Sequence, residues 1–327
     1  MILGLIEHDR GELNVQTLEM LTLARELAAS LGTSLAGVII GDQPGQVAEN
    51  LGDWDLETIY LVQDPRLDEY APDAWAAALV QLMEQEQPEA VMAIGTERGN
   101  EVLARTAARA NLPLSANCVE IRPEGDAYFV TRMRWGGTVL EEALLHGASK
   151  LLTVAPFAVE ATEVKASASP ALVTVAPSLD EADLRVRIMA RIAPEREGVS
   201  LAEASVVVGG GRGVDSAEGF ESLDELAALL GGAVGCSRVV TNNGWRPHAD
   251  QIGQTGARIA PDLYIACGIS GASQHMAGCS GSKHILVINN DPESPILARA
   301  DYAIIGDLHE VVPAISEAVR ARQGIAQ

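Results

Sequence analysis

The stretch 251–278 constrains the fold of this chain more strongly than any other segment. It reads QIGQTGARIAPDLYIACGISGASQHMAG: a segment rich in amides and hydroxyls, an apolar run at Leu263–Cys267, a turn of small residues, and the pair Gln274 and His275. An apolar run that enters a glycine turn and then a helix is typical of a strand-to-helix unit in a parallel sheet. Because such a turn gathers backbone N–H groups at the positive end of a helix, it predicts an anion site, usually for phosphate. The polar segment upstream can contact a flat heterocycle attached to that phosphate.

Four blocks of the sequence resemble the C-terminal domain of the electron transfer flavoprotein α subunit. They are QIGQTG, LYIACGISGASQHMAG, VINNDPESPI and ADYAIIGDL, in that order over about 60 residues. A single glycine pattern often matches by chance, whereas four blocks in series make a specific signal. The resemblance covers essentially the whole chain and is weaker before residue 200.

The length of 327 residues favours two domains. The best boundary is the segment 193–200, APEREGVS, which places Pro, Gly and charged residues between two apolar runs. We therefore expect an N-terminal domain at 1–195 and a C-terminal domain at 196–327. A hydrophobic content of 47% is ample for a sizeable α/β core.

Apolar runs alternate with amphipathic segments in the first domain, which predicts an α/β fold with a doubly wound, mostly parallel sheet. The predicted strands are 2–6, 34–40, 58–62 and 90–95, and the predicted helices are one capped by Asn14 that ends near residue 31, one at 72–85 and one at 97–110. Runs at 128–134, 138–145 and 151–154, joined by short glycine links, predict an antiparallel edge. Alternating charged and apolar residues at 184–192 predict a half-exposed strand.

The second domain is predicted to be a Rossmann-like α/β domain, and the resemblance adds FAD binding. Its first strand, 204–208, enters the turn Gly209–Gly213, which reads GGGRG. This turn is not the dinucleotide fingerprint G-x-G-x-x-G, because Val214 occupies the last glycine position, so a standard NAD site is disfavoured. Further strands are expected at 233–237, 263–267, 284–289 and 302–306, with helices at 222–230 and from Asp307 to about residue 322.

The net charge of −22 argues against nucleic acid and against an anionic membrane surface as partners. The four cysteines match no zinc or redox spacing and are expected to be buried free thiols. The N-terminus lacks the features of a signal peptide, and no apolar run reaches the roughly 18 residues that span a bilayer. We therefore expect a cytoplasmic protein without stable membrane insertion.

A second candidate site lies in the first domain at Gly95–Gly99, GTERG, which follows a predicted strand and precedes a predicted helix. Ligands bind at such strand ends in open α/β sheets. We favour the simpler interpretation that this is an ordinary capped turn between a strand and a helix.

The resemblance implies that seventeen residues bind FAD, and that the chain has no catalytic or metal-binding residues. The seventeen are Arg212, Ser237, Arg238, Gln251, Ile252, Gly253, Gln254, Thr255, Ser270, Gly271, Ala272, Ser273, Gln274, His275, Asn289, Asp307 and Leu308.

Several of these residues take particular roles by the same resemblance. Arg238 is placed beside the isoalloxazine ring, Thr255 near N5 and His275 near O2. A guanidinium beside the ring favours negative charge on it, and hydrogen bonding at N5 decides which reduced forms are stable. The resemblance also implies that Arg212 contacts the FAD diphosphate or adenosine end and that Ser237 contacts the phosphates. Asn289 and Asp307 are implied to contact the adenosine end. Asp307 is equally suited to capping a helix.

The sequence departs from the resembling family at four places, one of which is Ala257, where the family usually has a lysine or arginine and this chain has Arg258 one place later. Thr241, Asn242 and Asn243 replace a segment that more often has a small apolar residue, an Asp and a Gly, so the contacts near the ring are open there. Ser273 stands where the family commonly has a bulkier apolar residue. Cys279 lies in a stretch that is more apolar in the family, and it has no CxxC partner that would indicate redox activity.

The function implied is that of an electron carrier without substrate turnover of its own, the electron transfer flavoprotein α subunit. Its partners would be a β subunit in a heterodimer, flavin dehydrogenases such as acyl-CoA dehydrogenases as electron donors, and a membrane quinone oxidoreductase as acceptor. Two alternatives stay open: a self-contained NAD(P)- or FAD-dependent oxidoreductase, and a non-redox adenine-nucleotide-binding module.

Overall fold

The computed structural model of the chain describes residues 1–164, 169–190 and 199–324. The described chain divides into two compact units, one before the gap at 191–198 and one after it. The predicted boundary between residues 195 and 196 lies outside the described residues.

The first unit is built on one large sheet with helices on both faces. Its strands are β1 (Ile2–Ile6), β2 (His8–Asp9), β3 (Glu12–Leu13), β4 (Leu35–Ile40), β5 (Thr58–Val62), β6 (Ala90–Ile94), β7 (Leu114–Glu124), β8 (Ala127–Arg134), β9 (Val139–Leu145), β10 (Lys150–Val154) and β11 (Ala171–Val175). Its α-helices are α1 (Thr17–Leu31), α2 (Pro44–Glu49), α3 (Pro72–Glu86) and α4 (Glu97–Ala110), and 3-10 helices span Pro65–Leu67 and Trp135–Gly137.

Nine strands form this sheet in the order β11-β5-β4-β1-β6-β10-β7-β8-β9. Pairing is parallel from β11 to β7 and antiparallel between β7, β8 and β9. Helices α1 and α2 pack with one buried cluster, and α3 and α4 with the cluster on the opposite face. The predicted mostly parallel, doubly wound sheet with an antiparallel edge is therefore confirmed.

Helix α1 shows how the sequence produces these elements. Met20, Ala24 and Leu27 recur at helical spacing and are all buried. The helix begins at Thr17, three residues after the predicted cap Asn14, and ends at Leu31. The next residue, Gly32, has a left-handed φ of 64°, which suits a glycine just after a helix end.

The turn Gly95–Gly99 is the capped turn that the sequence favours. The hydroxyl of Thr96 accepts a hydrogen bond from the N–H of Gly99 at 2.9 Å and so caps α4. The cavity beside Gly99 has a volume of only about 10 Å³, which is about the minimum that holds one water.

The second unit contains a five-stranded, fully parallel sheet. Its strands are β12 (Val206–Gly210), β13 (Ala233–Cys236), β14 (Leu263–Cys267), β15 (His284–Asn289) and β16 (Tyr302–Ile305). Its α-helices are α5 (Glu221–Leu229), α6 (Arg238–Asn242), α7 (Ser273–Cys279) and α8 (Leu308–Gln323), with 3-10 helices at Arg212–Val214, Glu218–Phe220, His248–Asp250 and Pro295–Arg299.

The strand order of this sheet is β13-β12-β14-β15-β16. Numbered along the chain, the order is 2-1-3-4-5, which is the flavodoxin-like doubly wound order; the order 3-2-1-4-5-6 is that of a Rossmann fold. The α/β prediction is confirmed, and the Rossmann-like detail is not. The order reverses between β12 and β14, so the carboxyl ends of these two strands are where a ligand is expected.

Candidate functional site

A cavity of about 710 Å³ opens at the carboxyl ends of the strands of the second unit. This volume is within the range of about 300–1,000 Å³ that is usual for small-molecule and cofactor sites. Sixteen of the seventeen predicted residues line it: Arg212, Ser237, Arg238, Gln251, Ile252, Gly253, Gln254, Thr255, Ser270, Gly271, Ala272, Gln274, His275, Asn289, Asp307 and Leu308. Ser273 does not line the cavity, and its side chain is exposed at the start of α7.

Two glycine turns cross at the point where the strand order reverses. The N–H of Gly211 donates to the carbonyl of Cys267 at 2.8 Å, and the N–H of Gly213 donates to the carbonyl of Gly268 at 3.2 Å. A Cβ on Gly268 would lie 2.8 Å from the Cα of Gly213, and the φ of Gly268 is +61°. The turns after β12 and β14 thus touch backbone to backbone, which requires glycine and brings two sets of N–H groups to one place.

The turn between β14 and α7 presents N–H groups to the cavity. Within the described residues, the N–H groups of Ser270, Gly271 and Ala272 donate to no acceptor of the protein. Gly271 has a φ of +81°, and a Cβ there would lie 2.6 Å from the backbone nitrogen of Ile296, so the turn packs directly against Ile296 and requires glycine at this position. A cluster of unsatisfied donors of this kind suits a phosphate group.

Asn289 holds the same turn from behind. Its Nδ2 donates to the carbonyl of Ile269 at 3.0 Å and to Ser294 Oγ at 3.2 Å, and its Oδ1 accepts from the N–H of Asp291 at 3.0 Å. These bonds occupy its amide, so the structure gives Asn289 a role in shaping the turn. Its contact with the adenosine end stays a prediction.

The segment 251–257 packs onto α7 through a second glycine contact. A Cβ on Gly278 would lie 2.2 Å from the backbone nitrogen of Gly253, and the N–H of Gln254 donates to the carbonyl of Gln274 at 2.7 Å. This contact fixes the predicted ring-contacting segment against the helix that follows the phosphate turn. Thr255 is exposed at the surface of the cavity.

His275 is buried beneath the cavity, and both of its ring nitrogens have protein partners. Nδ1 lies 3.1 Å from the carbonyl oxygen of Ile252, which can only accept, so Nδ1 carries the proton. Nε2 therefore accepts from the hydroxyl of Tyr264 at 2.8 Å. Burial lowers the pKa of His275 to about 4, and it raises the pKa of Tyr264 well above its usual value. His275 is thus neutral at physiological pH, and the predicted contact with flavin O2 stays a prediction.

Two exposed arginines supply positive charge at the cavity. Arg212 and Arg238 form no ion pair with any residue that the structure describes. Arg246, by contrast, is engaged by Asp224 and Asp250 at 2.8 Å each. These two guanidinium groups are available to an anionic ligand, although Asp215, Asp291 and Asp307 also line the cavity.

Ser237 and Asp307 stand at the starts of two helices that border the cavity. The hydroxyl of Ser237 makes no capping hydrogen bond to α6, which leaves it available to a ligand. The carboxylate of Asp307 accepts from the N–H of His309 at 2.9 Å and caps α8. Asp307 therefore fills the capping role that its sequence position also suggests.

Ten further residues line the cavity without having been predicted. They are Gly213, Asp215, Val239, Gly268, Ile269, Asn290, Asp291, Ser294, Gly306 and His309. All of them lie within a few residues of a strand end or of a predicted site residue. The rule that ligands bind at carboxyl strand ends would have found most of them.

The described residues fit a dinucleotide such as FAD. A phosphate matches the free N–H groups of the turn at 270–272 and the cations Arg212 and Arg238. A flat ring matches the polar wall at Gln251, Gln254 and Thr255. No group of His, Cys, Asp and Glu residues in the described chain could hold a metal ion, and none of its helices is both long and apolar enough to cross a bilayer.

Comparisons with known proteins agree with this geometry. The family model "Electron transfer flavoprotein domain" matches residues 2–195, and "Electron transfer flavoprotein FAD-binding domain" matches residues 200–280. The electron transfer flavoprotein subunit alpha of Bacillus subtilis (strain 168) is 38% identical over 307 residues, which cover 94% of this chain and 93% of that protein. The subunit of the same name from Megasphaera elsdenii is 34% identical over 325 residues, 98% of this chain and 96% of that protein. That from Mycobacterium tuberculosis (strain ATCC 25618 / H37Rv) is 37% identical over 326 residues, 99% of each chain.

Proposed function

This chain belongs to the electron transfer flavoprotein subunit alpha family, and on that premise we propose that it carries single electrons on an FAD held in the cavity of its second unit. The observation that carries the proposal is the convergence of sixteen predicted FAD-binding residues on one cavity of about 710 Å³. When bound, FAD supplies an isoalloxazine ring that takes up and releases electrons. The protein binds this ring, shields it and adjusts its potential.

The phosphates would be held by backbone N–H groups and by one cation. The N–H groups of Ser270, Gly271 and Ala272 have no acceptor among the described residues, and these three residues line the same cavity as Arg212. Hydrogen bonds from fixed backbone groups to an anion need no reorganisation of the protein on binding. Gly271 packs directly against Ile296, which supports a donor set that keeps its shape when the cofactor binds.

The ring would lie against Arg238 and Thr255. The Arg238 guanidinium lines the cavity without a carboxylate partner among the described residues, so its charge is not neutralised within the protein. A positive charge there stabilises a negatively charged ring more than a neutral one and raises the reduction potential. Beneath the ring, neutral His275 adds a second buried wall but no charge.

The partners follow from the family. The α subunit normally pairs with a β subunit, and we propose a heterodimer here as well. Flavin dehydrogenases, such as acyl-CoA dehydrogenases, are the proposed donors, and a membrane quinone oxidoreductase is the proposed acceptor. Whether the complex also bifurcates electrons depends mainly on the partner subunit, and a cytoplasmic location remains a prediction from the sequence.

The first test is the visible spectrum of the purified protein after reconstitution with FAD. We expect flavin absorption bands that bleach on reduction by a flavin dehydrogenase. Reduction by NADH without any partner would favour a self-contained oxidoreductase instead. A protein that binds AMP but cannot be reconstituted with FAD would favour a non-redox nucleotide-binding module.

The second test is a redox titration of the FAD-loaded Arg238→Ala variant. We expect the one-electron potential to fall by on the order of 60 mV, which corresponds to about 1.4 kcal/mol. Arg322→Ala is the matched control, because Arg322 is an exposed arginine of α8 that does not line the cavity. Equal potentials for both variants and the wild type would remove Arg238 from the proposed role.

A further inference from the structure

Three side chains form a hydrogen-bonded chain at the wall of the cavity. Gln251 is in the middle and only 2% exposed. Its Oε1 lies 2.8 Å from Thr241 Oγ1 on α6, and its Nε2 lies 3.0 Å from Thr255 Oγ1. Gln251 and Thr255 line the cavity, whereas Thr241 does not. Thr241 is also a position at which the sequence departs from the resembling family.

With the Gln251 carboxamide in this orientation, the chemistry of the three groups sets the direction of each bond. The Oε1 of a carboxamide can only accept, so the Thr241 hydroxyl donates to it; Nε2 can only donate, so Thr255 Oγ1 accepts from it. A hydroxyl has one proton and two lone pairs. Since Gln251 fills a lone pair of Thr255, the proton of Thr255 is left to donate into the cavity.

A second arrangement with the opposite direction is within reach. Thr241 Oγ1 also lies 2.9 Å from the carbonyl oxygen of Arg238. If the Thr241 proton turned to that carbonyl, the Gln251 carboxamide would reverse, with Nε2 toward Thr241 and Oε1 toward Thr255. Thr255 would then donate to Gln251 and offer only lone pairs to the cavity. The single proton of Thr241 therefore selects between two complete networks.

We propose that Thr241 is a positioning residue: its hydroxyl holds the Gln251 carboxamide and thereby sets whether Thr255 donates or accepts a hydrogen bond at the cofactor. The inference rests on the proposed function, in which the cofactor is FAD. Oxidised and reduced flavins differ in the hydrogen bonds that their ring nitrogens accept and donate. A hydroxyl that never touches the cofactor thus adjusts the relative affinity of the cavity for its two redox forms.

The first measurement uses the cofactor-free protein with 15N-labelled glutamine. The exchange with solvent of the Gln251 Nε2 protons, identified by their loss in Gln251→Leu, is followed by NMR in wild type, Thr241→Val and Thr241→Ser. Valine keeps the shape of threonine and removes the hydroxyl, whereas serine keeps the hydroxyl. We expect exchange roughly tenfold faster in Thr241→Val and within about twofold of wild type in Thr241→Ser. Equal rates in all three proteins would show that Thr241 does not hold the amide, and the proposal would fall.

The second measurement is the ratio of the binding constants for oxidised and reduced FAD. We expect Thr241→Val to change this ratio by roughly threefold to tenfold, and Thr241→Ser and the exposed neighbour variant Asn242→Ala to leave it within about twofold. Oxidised and reduced FAD differ by two electrons, so a tenfold change in this ratio equals about 30 mV in the two-electron potential. If the Gln251 amide exchanges faster in Thr241→Val but the ratio of the two binding constants is unchanged, the proposal is overturned. Failure of every protein to bind FAD would instead overturn the proposed function, and the exchange experiment, which needs no cofactor, tells the two failures apart.

Discussion

His275 is a residue whose protonation state is set by the fold. Burial lowers its pKa to about 4, and in the neutral form Nδ1 donates to the Ile252 carbonyl while Nε2 accepts from the Tyr264 hydroxyl. In the unfolded chain the same imidazole has a pKa near 6.5. Between these two values the unfolded state binds a proton that the native state does not, so stability falls as pH falls from about 6.5 to about 4.

The first prediction follows from this shift. Protonation of His275 in the unfolded chain should lower the free energy of unfolding at pH 5 by about 2 kcal/mol relative to pH 8. His275→Gln has no titrating ring and should lose that much less stability over the same range. Denaturant unfolding of both proteins at pH 8 and pH 5 measures the difference. The same loss in both proteins would contradict the linkage.

Glu19, in the first unit, makes the stability of the protein depend on pH in the opposite direction. Its carboxylate on α1 accepts from the N–H of Phe157 at 2.6 Å, but burial outweighs that hydrogen bond and raises the pKa of Glu19 to about 7. A carboxyl with a raised folded pKa contributes stability below its unfolded value of 4.5 and loses it as pH rises to about 7.

The second prediction is that Glu19→Gln stabilises the protein at pH 8 but not at pH 4.5. Because solvent reaches part of the carboxylate, we expect a gain of only about 1 kcal/mol at pH 8. Thermal unfolding at the two pH values measures it, with Glu26→Gln on the same helix as the exposed control. A gain that is equal at both pH values would show that the effect does not come from ionisation of Glu19.

At the scale of elements, the crossing of the turns after β12 and β14 makes the cavity. Gly268 and Gly231 provide a matched pair, since their φ values are +61° and +64°. A Cβ on Gly268 would lie 2.8 Å from the Cα of Gly213, whereas a Cβ on Gly231 would meet no atom within 4 Å. Alanine at either position is strained by about 1–2 kcal/mol, but only Gly268→Ala also forces two turns apart.

The third prediction compares these two variants. Gly268→Ala should weaken FAD binding by at least roughly tenfold, because the donors at 270–272 and Arg212 move relative to one another. Gly231→Ala should lower the free energy of unfolding by about 1–2 kcal/mol and leave FAD affinity unchanged. Fluorescence titration with FAD and denaturant unfolding measure the two effects. Equal affinity in both variants would show that the crossing is not needed for binding.

The elements that local pattern predicts well are those with strong periodicity and clear ends. Strand β5 and helix α4 have the predicted bounds, Thr58–Val62 and Glu97–Ala110. The alternation at 184–192 predicted a strand, and this was wrong for its described part, where residues 184–190 form none. The position beside β5 is taken by β11, Ala171–Val175, which lies more than 100 residues away in sequence. Pairing over that distance is decided by the whole sheet and leaves no mark in a short window.

The candidate site, like the fold, could be predicted from the sequence only where its residues lie in local motifs. Residues in contiguous motifs, such as Gln251 to Thr255 and Ser270 to Ala272, were predicted from the family resemblance of those motifs, and the structure brings them to one cavity. The hydrogen-bond partners were not predicted. The Tyr264 hydroxyl reaches His275, and the Thr241 hydroxyl reaches Gln251, only through packing of separate elements. Charge state and bond direction at the cavity therefore required the structure.

At the scale of the whole molecule, each unit has its own buried clusters. Leu152 is fully buried in a cluster of the first unit, and Ile265 is 2% exposed in a cluster of the second. Every described residue that lines the cavity belongs to the second unit. A ligand that binds the native state stabilises the part that must be folded to hold it, by about 2.7 kcal/mol at a concentration of 100 times Kd.

The fourth prediction is that calorimetry resolves two unfolding transitions and that FAD raises the Tm of only one. Leu152→Ala should lower the Tm of the transition that FAD leaves unchanged. Ile265→Ala should lower the Tm of the transition that FAD raises. Each substitution removes about 2–5 kcal/mol of packing free energy. The two substitutions act as controls for each other, since each removes a buried aliphatic side chain from one unit. A single transition that shifts as a whole with FAD, and with both substitutions, would mean that the two units unfold as one cooperative body. In that case the stability of the cofactor site would depend on the first unit as well.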